Sequence, residues 1–181
     1  MRKAVFLDRD GVLSKNIDGD YIRNISQIKL LPSAKEAVAK LYDANFEIVI
    51  VTNQAAVNKG IMSYSDAKIV QSEIVRLLDP SGVIDIKSEI CPHTSNDSCS
   101  CRKPEPGMIL SACEKYDLDL QRSYMVGDAW SDMQAALAAK VRPIMVLSGR
   151  GKASDIKTDG DAIPVFSHIG EAADFICKRA V

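Results

Sequence analysis

Two carboxylates set two positions apart, Asp8 and Asp10 in the run Asp8-Arg9-Asp10-Gly11, follow directly on the apolar residues Ala4-Val5-Phe6-Leu7. Side chains alternate along an extended backbone, so both acids lean over the same side at the strand's C-terminal mouth. Like charges that close repel unless a cation or a shared proton offsets them. The pair therefore points to a magnesium site, an acid/base pair, or both. Gly11 permits the sharp exit that a side chain would resist. An Asp-rich turn after an edge strand is the plainer alternative.

Three later groups could join the same chemistry. Thr52-Asn53-Gln54 ends the apolar run Ile48-Val49-Ile50-Val51 with a hydroxyl and two amides, suited either to phosphate oxygens or to capping a following helix. Arg102-Lys103-Pro104 precedes Glu105-Pro106-Gly107. A lysine near Asp8 would favour its ionised form and neutralise a transferring phosphoryl group; elsewhere it is a solvated charge. Gly127-Asp128 closes Tyr124-Met125-Val126. A carboxylate there completes an oxygen-rich site for Mg²⁺, which takes one or two carboxylates plus waters and substrate oxygens. Asp132 reads equally as a group behind that metal or as a helix N-terminal acid favoured by the dipole.

Cys91-Pro92-His93 and Cys99-Ser100-Cys101 place four soft ligands within eleven residues. Three thiolates and one imidazole fill a tetrahedral zinc shell and leave no open position, so this metal would be structural. A disulfide is the competitor, disfavoured because Cys99 and Cys101 are too close to bridge comfortably. Cys113 and Cys177 read as small core residues, and His168 as a cap or surface residue.

These groups need elements to hold them. Ala4 to Leu7, Glu47 to Thr52, Ile84 to Ile90, Tyr124 to Gly127 and Ile144 to Leu147 have strand length and character. Helical spacing occupies Ser33 to Asn45, Ser63 to Leu78, Gly107 to Tyr116, Trp130 to Lys140 and Ile169 to Arg179, with Ser63 or Ser65 as a cap. Strand alternating with helix predicts an α/β fold: a Rossmann-like three-layer parallel sheet with helices on both faces. Ligands of such sheets sit outside the C-terminal strand ends, where all the motifs above fall. Lys15 to Leu31 and Pro92 to Pro106 are long connections, usually functional or mobile in a compact domain.

Taken in order, DRDG, TNQ, RKP and GDAWSD resemble the four motifs of the haloacid dehalogenase-like phosphohydrolases. The resemblance implies that Asp8 is the nucleophile on phosphorus. Asp10 then protonates the leaving oxygen and later activates water, Thr52 and Lys103 hold the phosphoryl group, and Asp8, the Asp10 carbonyl and Asp128 bind Mg²⁺. Phosphoryl transfer asks mainly for positioning and charge compensation, which this set supplies. CPH, CxC, RKPxPGM and an early DRDG are similar to the D,D-heptose 1,7-bisphosphate phosphatase group and its histidinol-phosphate relatives. That group implies substrate contacts from Arg102, from the TNQ segment with Asn53 and Gln54, and from the loop after DRDG. Tyr21 and Arg23 are candidates for the distal part of the substrate because they lie in the long loop near Asp10. Ser14, Ala55 and Ala129 depart from the residues common in the group. The short spacing between motifs predicts a capless site gated by the Lys15 to Leu31 loop and the zinc loop.

Other classes fit less well. A phospho-acceptor signalling module also uses an aspartate, a hydroxyl and a lysine, but a general acid at Asp10 would speed loss of the phosphoaspartate it must keep. A net charge of −1 and no long basic run argue against a nucleic-acid substrate. The 181 residues, 46% apolar and 26% charged, suit a single domain over 1–181. The expected protein is a monomer acting on a small sugar phosphate. Met1-Arg2-Lys3 leads into too short an apolar run for a signal peptide, and no run spans a membrane, so a cytoplasmic setting with reduced cysteines is expected.

Overall fold

Six parallel strands form one sheet in a computed structural model that describes residues 1–156 and 162–179. They are β1 (Ala4–Leu7), β2 (Glu47–Asn53), β3 (Lys87–Cys91), β4 (Tyr124–Gly127), β5 (Arg142–Val146) and β6 (Val165–Phe166), in spatial order β3-β2-β1-β4-β5-β6. The helices are α1 (Ala34–Asp43), α2 (Tyr64–Leu78), α3 (Gly107–Tyr116), α4 (Trp130–Ala138) and α5 (Ile169–Arg179).

Strand alternation divides the core. Val5 and Leu7 of β1 pack with the apolar faces of α1, α2 and α5, while Ala4 and Phe6 pack on the other side with α3 and α4. Central β1 is buried on both faces, which is why its sequence is a continuous apolar run rather than an alternating one. The strand order reverses between β1 and β4, so their C-terminal ends form the switch point where open sheets bind ligands.

The predicted Ile84 to Ile90 strand begins three residues later than expected, at Lys87. Ile84 donates its N–H to the Asp79 carboxylate at 2.6 Å, and Ile86 donates back to the Ile84 carbonyl at 2.8 Å. Those donors belong to a turn and are lost to the ladder. The two-residue β6 has no periodic signal of its own and exists by pairing with Met145 and Val146. Ser33 has φ 66° and makes no side-chain cap, so α1 starts at Ala34. Lys140, at φ 59°, lies beyond the end of α4 at Ala138. Ser63 caps α2, accepting the Asp66 N–H at 3.0 Å, and His168 Nδ1 accepts the Gly170 N–H at the start of α5 at 3.1 Å.

The connection after β1 is a tied flap. Lys15 donates to the Lys29 carbonyl at 2.8 Å, Leu31 donates to the Leu13 carbonyl at 2.9 Å, and a 3₁₀ turn at Ile25–Gln27 stiffens the middle. Between the motifs the described residues hold the flap, the strands and the helices named above. None of their helices is long and apolar enough to cross a membrane.

Candidate active site

Asp8 leaves the end of β1 with its carboxylate almost out of solvent. Lys103 Nζ donates to Asp8 Oδ1 at 2.6 Å and to the Val51 carbonyl at 2.9 Å, and pairs with Asp132 Oδ1 at 2.7 Å. One buried ammonium thus sits between two buried carboxylates. Burial works against its charge, but Asp132 and Asp8 outweigh that and raise the Lys103 pKa.

Asp128 joins Asp8 and Asp132 in a group whose carboxylate oxygens lie within 4.8 Å of one another. Burial, reinforced by Asp132, Asp128 and Asp10, pushes the Asp8 carboxyl well above the usual range against the pull of Lys103. Burial and Asp132 raise Asp128 as well. Three acids against one ammonium leave a negative excess that a divalent cation offsets. This donor set of hard oxygens fits Mg²⁺.

Asp10 is held differently. Burial favours its neutral form, but the Arg9 charge and hydrogen bonds from Arg9, Gln54 and Ser14 prevail and keep its carboxyl below the usual range. Arg9 Nε donates to both carboxylate oxygens at 3.1 Å and Nη2 donates to Oδ2 at 2.8 Å. Ser14 Oγ donates to Oδ1 at 3.0 Å, and Gln54 Nε2 donates to Oδ2 at 2.9 Å. The paired carboxylates of the DxD run are therefore in opposite electrostatic settings, Asp8 biased toward its acid form and Asp10 toward its carboxylate, and a divalent cation at Asp8 would restore the ionised form that a nucleophile needs.

Asp8, Asp10, Thr52, Asn53, Lys103 and Asp128 line one cleft. A larger groove, ≈ 930 Å³, follows β3 between α2 and the end of α3, and none of these residues lines it. Asn53 grips the Lys103 main chain from both sides: its Nδ2 donates to the Lys103 carbonyl and its Oδ1 accepts the Lys103 N–H, each at 3.1 Å. Gln54 is buried and also donates to Thr52 Oγ1 at 2.9 Å. Tyr21 lines the cleft, its hydroxyl accepting from Lys59 Nζ at 2.9 Å. Arg23 pairs with Asp20 and is absent from the lining. Arg102 is likewise absent from that lining and donates to the His93 carbonyl at 3.0 Å.

Asp132 serves the start of α4 and also pairs with Lys103 beside Asp8 and Asp128. Its Oδ2 accepts the Ala129 N–H at 3.0 Å at the start of α4, while Oδ1 faces Lys103. Gly127 is required there, because a Cβ would overlap the Asp132 side chain.

Sequence reasoning missed two features. Arg9 is more than a spacer between two acids. The turn Ser148-Gly149-Arg150-Gly151 after β5 wraps Asp128: the Arg150 N–H donates to Asp128 Oδ2 at 2.8 Å, Ser148 Oγ donates to the Gly11 carbonyl at 2.7 Å, and a Cβ at Gly149 or Gly151 would overlap Asp128. A glycine pair at a strand end was the available signal.

Cys91, His93, Cys99 and Cys101 converge as expected. Their sulfurs are 3.1 to 3.8 Å apart, and His93 Nδ1 lies 3.2 Å from Cys101 Sγ. Sulfurs bound to one tetrahedral zinc at ~2.3 Å stand about 3.8 Å apart, and no disulfide is formed. Burial and the neighbouring thiols push Cys101 up to about 12, while hydrogen bonds from Arg102 and Cys101 overcome burial and lower Cys99 to about 7. Thiols so crowded ionise together only on a cation, so the donor set fits zinc.

Comparison with known proteins agrees with this geometry. A HAD-hydrolase-like family model matches residues 100–172. The chain is 33% identical over 163 residues to the D-glycero-beta-D-manno-heptose-1,7-bisphosphate 7-phosphatase of Pseudomonas aeruginosa, covering 90% of this chain and 89% of that one. It is 39% identical over 134 residues to the D-glycero-alpha-D-manno-heptose-1,7-bisphosphate 7-phosphatase of Mycobacterium tuberculosis, covering 74% and 70%. The crystal structure of D,D-heptose 1,7-bisphosphate phosphatase from B. bronchiseptica, complexed with magnesium and phosphate, superposes with a TM-score of 0.88 at 31% identity over 98% of this chain and 99% of that one. The chain belongs to the haloacid dehalogenase-like hydrolases, in the family of the heptose-1,7-bisphosphate 7-phosphatases.

Proposed function

We propose that this protein is a phosphoric monoester hydrolase that removes the C7 phosphate of D-glycero-D-manno-heptose 1,7-bisphosphate through an aspartyl-phosphate at Asp8. The observation that carries the reading is the buried pair of Lys103 with Asp8 beside a carboxylate cluster that calls for a divalent cation. Bound Mg²⁺ supplies charge compensation for the phosphoryl oxygens. The remaining work falls to the chain's own residues.

A carboxylate oxygen of Asp8 attacks phosphorus as the bond to the sugar oxygen breaks, and Asp10 gives that oxygen its proton. Water then loses a proton to Asp10, attacks the aspartyl-phosphate and releases inorganic phosphate and Asp8. The Arg9, Gln54 and Ser14 contacts favour the carboxylate of Asp10 that the second half needs. Entry of an anionic phosphate opposes that bias and favours the acid needed in the first half. Thr52 and Lys103 orient the transferring group. Asn53, Gln54, Tyr21, Arg23 and Arg102 are proposed for the substrate side, with Asn53 and Tyr21 nearest because they line the cleft. Zinc at Cys91, His93, Cys99 and Cys101 is proposed as structural. Free thiols throughout fit a cytoplasmic enzyme, which we take to be a monomeric single domain.

The test is Mg²⁺-dependent phosphate release from both anomers of the heptose 1,7-bisphosphate and from histidinol phosphate, with Asp8→Asn as the blank. The expected result is turnover of a heptose bisphosphate, lost in Asp8→Asn. Preference for histidinol phosphate would replace the substrate and keep the mechanism, and Asp8-independent release would overturn the mechanism itself.

A further inference from the structure

Gln54 is only 1% exposed, yet its amide nitrogen bonds two residues that line the cleft. Nε2 donates to Asp10 Oδ2 and to Thr52 Oγ1, each at 2.9 Å, which uses both of its hydrogens. Asp10 is the acid and base of the reaction proposed above, and Thr52 helps to hold the transferring group. We infer that Gln54 is a positioning residue that sets both at once: it turns the Thr52 hydroxyl proton toward the phosphoryl group and leaves Asp10 Oδ1 as the oxygen that exchanges a proton with the leaving group. Gln54 thus serves the substrate side through two residues of the cleft, and the inference rests on the aspartyl-phosphate reading.

The amide has a fixed base and a fixed orientation. The Gln54 N–H donates to the Cys91 carbonyl at the end of β3 at 2.7 Å, and the Gln54 carbonyl accepts the Val57 N–H at 3.2 Å. Arg9 pairs with Asp10, and an ionised carboxylate takes the N–H edge of an amide, not its carbonyl. Oε1 is buried with no partner. The two bonds of Nε2 therefore orient the side chain, at the expense of its acceptor.

Each bond has a chemical consequence. A hydroxyl carries one proton. Thr52 Oγ1 accepts from Gln54 and donates to no group among the described residues, so its proton is left for an incoming phosphoryl oxygen. On Asp10, Oδ2 faces Arg9 Nη2 and Gln54 Nε2, donors that cannot accept a proton from it. Oδ1 faces Ser14 Oγ at 3.0 Å, and that hydroxyl also reaches the Arg9 carbonyl at 3.3 Å. By turning to the carbonyl, Ser14 frees a lone pair for a proton on Oδ1.

The experiment measures kcat/KM, which covers the steps up to the aspartyl-phosphate, for the heptose 1,7-bisphosphate and for p-nitrophenyl phosphate. The proteins are wild type, Gln54→Met and Gln54→Glu, with Asp8→Asn as the control. A sugar oxygen needs a proton to leave, whereas p-nitrophenolate leaves without one, so the aryl ester senses the Thr52 bond alone. Gln54→Met donates no hydrogen. It should lower the heptose value about a hundredfold, as displacement of a general acid predicts, and the aryl value only about tenfold. Gln54→Glu keeps the shape but offers one hydrogen at most, so it cannot serve both partners and should also lose heptose turnover. A packing defect or weaker magnesium binding would lower both esters by one factor. That result in Gln54→Met, or a Gln54→Glu with both wild-type values, overturns the inference alone. Turnover that survives in Asp8→Asn overturns the aspartyl-phosphate reading, and the inference with it.

Discussion

Lys103 holds the most consequential charge balance in the molecule. Removing it in Lys103→Met would leave Asp8 and Asp132 buried together without their shared cation. Breaking a buried pair costs about 3–5 kcal/mol, so urea unfolding at pH 7 should show a loss of that order, with activity abolished. Undiminished stability would mean that the two acids are already compensated otherwise. The raised Lys103 pKa stabilises the fold fully below the unfolded lysine value of about 10.4 and is lost only as pH rises through the folded value. Asp10 works at the other end. Its lowered pKa contributes stability above the unfolded value of about 3.9, lost as pH falls through the folded one. Neither group weakens the fold across the neutral range.

Among the elements, the zinc loop and α3 meet at Gly107, whose Cβ would overlap the Ser100 carbonyl. The Gly107 N–H donates to that same carbonyl at 3.0 Å, so the loop carrying Cys99 and Cys101 is docked on the first turn of the helix. Gly107→Ala forces them apart at an overpacking cost of about 1–3 kcal/mol. Metal analysis should find less zinc per chain, and thermal melts and activity should fall together, because Lys103 lies between the loop and the helix. Full zinc content with an unchanged melting temperature would separate the loop from the site. Asn53 grips the main chain of Lys103 from the end of β2, so the lysine's backbone is held between that strand and the Cys/His loop.

At the scale of the whole molecule, one sheet carries both cores, and β1 contributes to each. A protein built so should unfold as a unit. Circular dichroism and the fluorescence of Trp130, the chain's one tryptophan, should report coincident urea transitions, and light scattering should give the mass of one chain. Separate transitions would divide the domain, and a doubled mass would replace the monomer.

The sequence by itself determined which chemistry was available: paired acids and a polar strand end behind apolar runs, and a lysine and four soft ligands in or beside one long loop. Those are properties of residue type and short-range period, and they also yielded α/β alternation and most helix limits. Tertiary structure alone decided who faces whom. Asp8 and Lys103 meet across 95 positions of chain, and that meeting depends on the order of strands rather than on either motif. It also decided that Arg9 and Gln54 hold Asp10, that Asp132 both caps α4 and pairs with Lys103, that Arg102 donates to the His93 carbonyl, and that β6 exists. Side-chain partners and a two-residue strand have no local signature, because their energies come from contacts that only the assembled sheet provides.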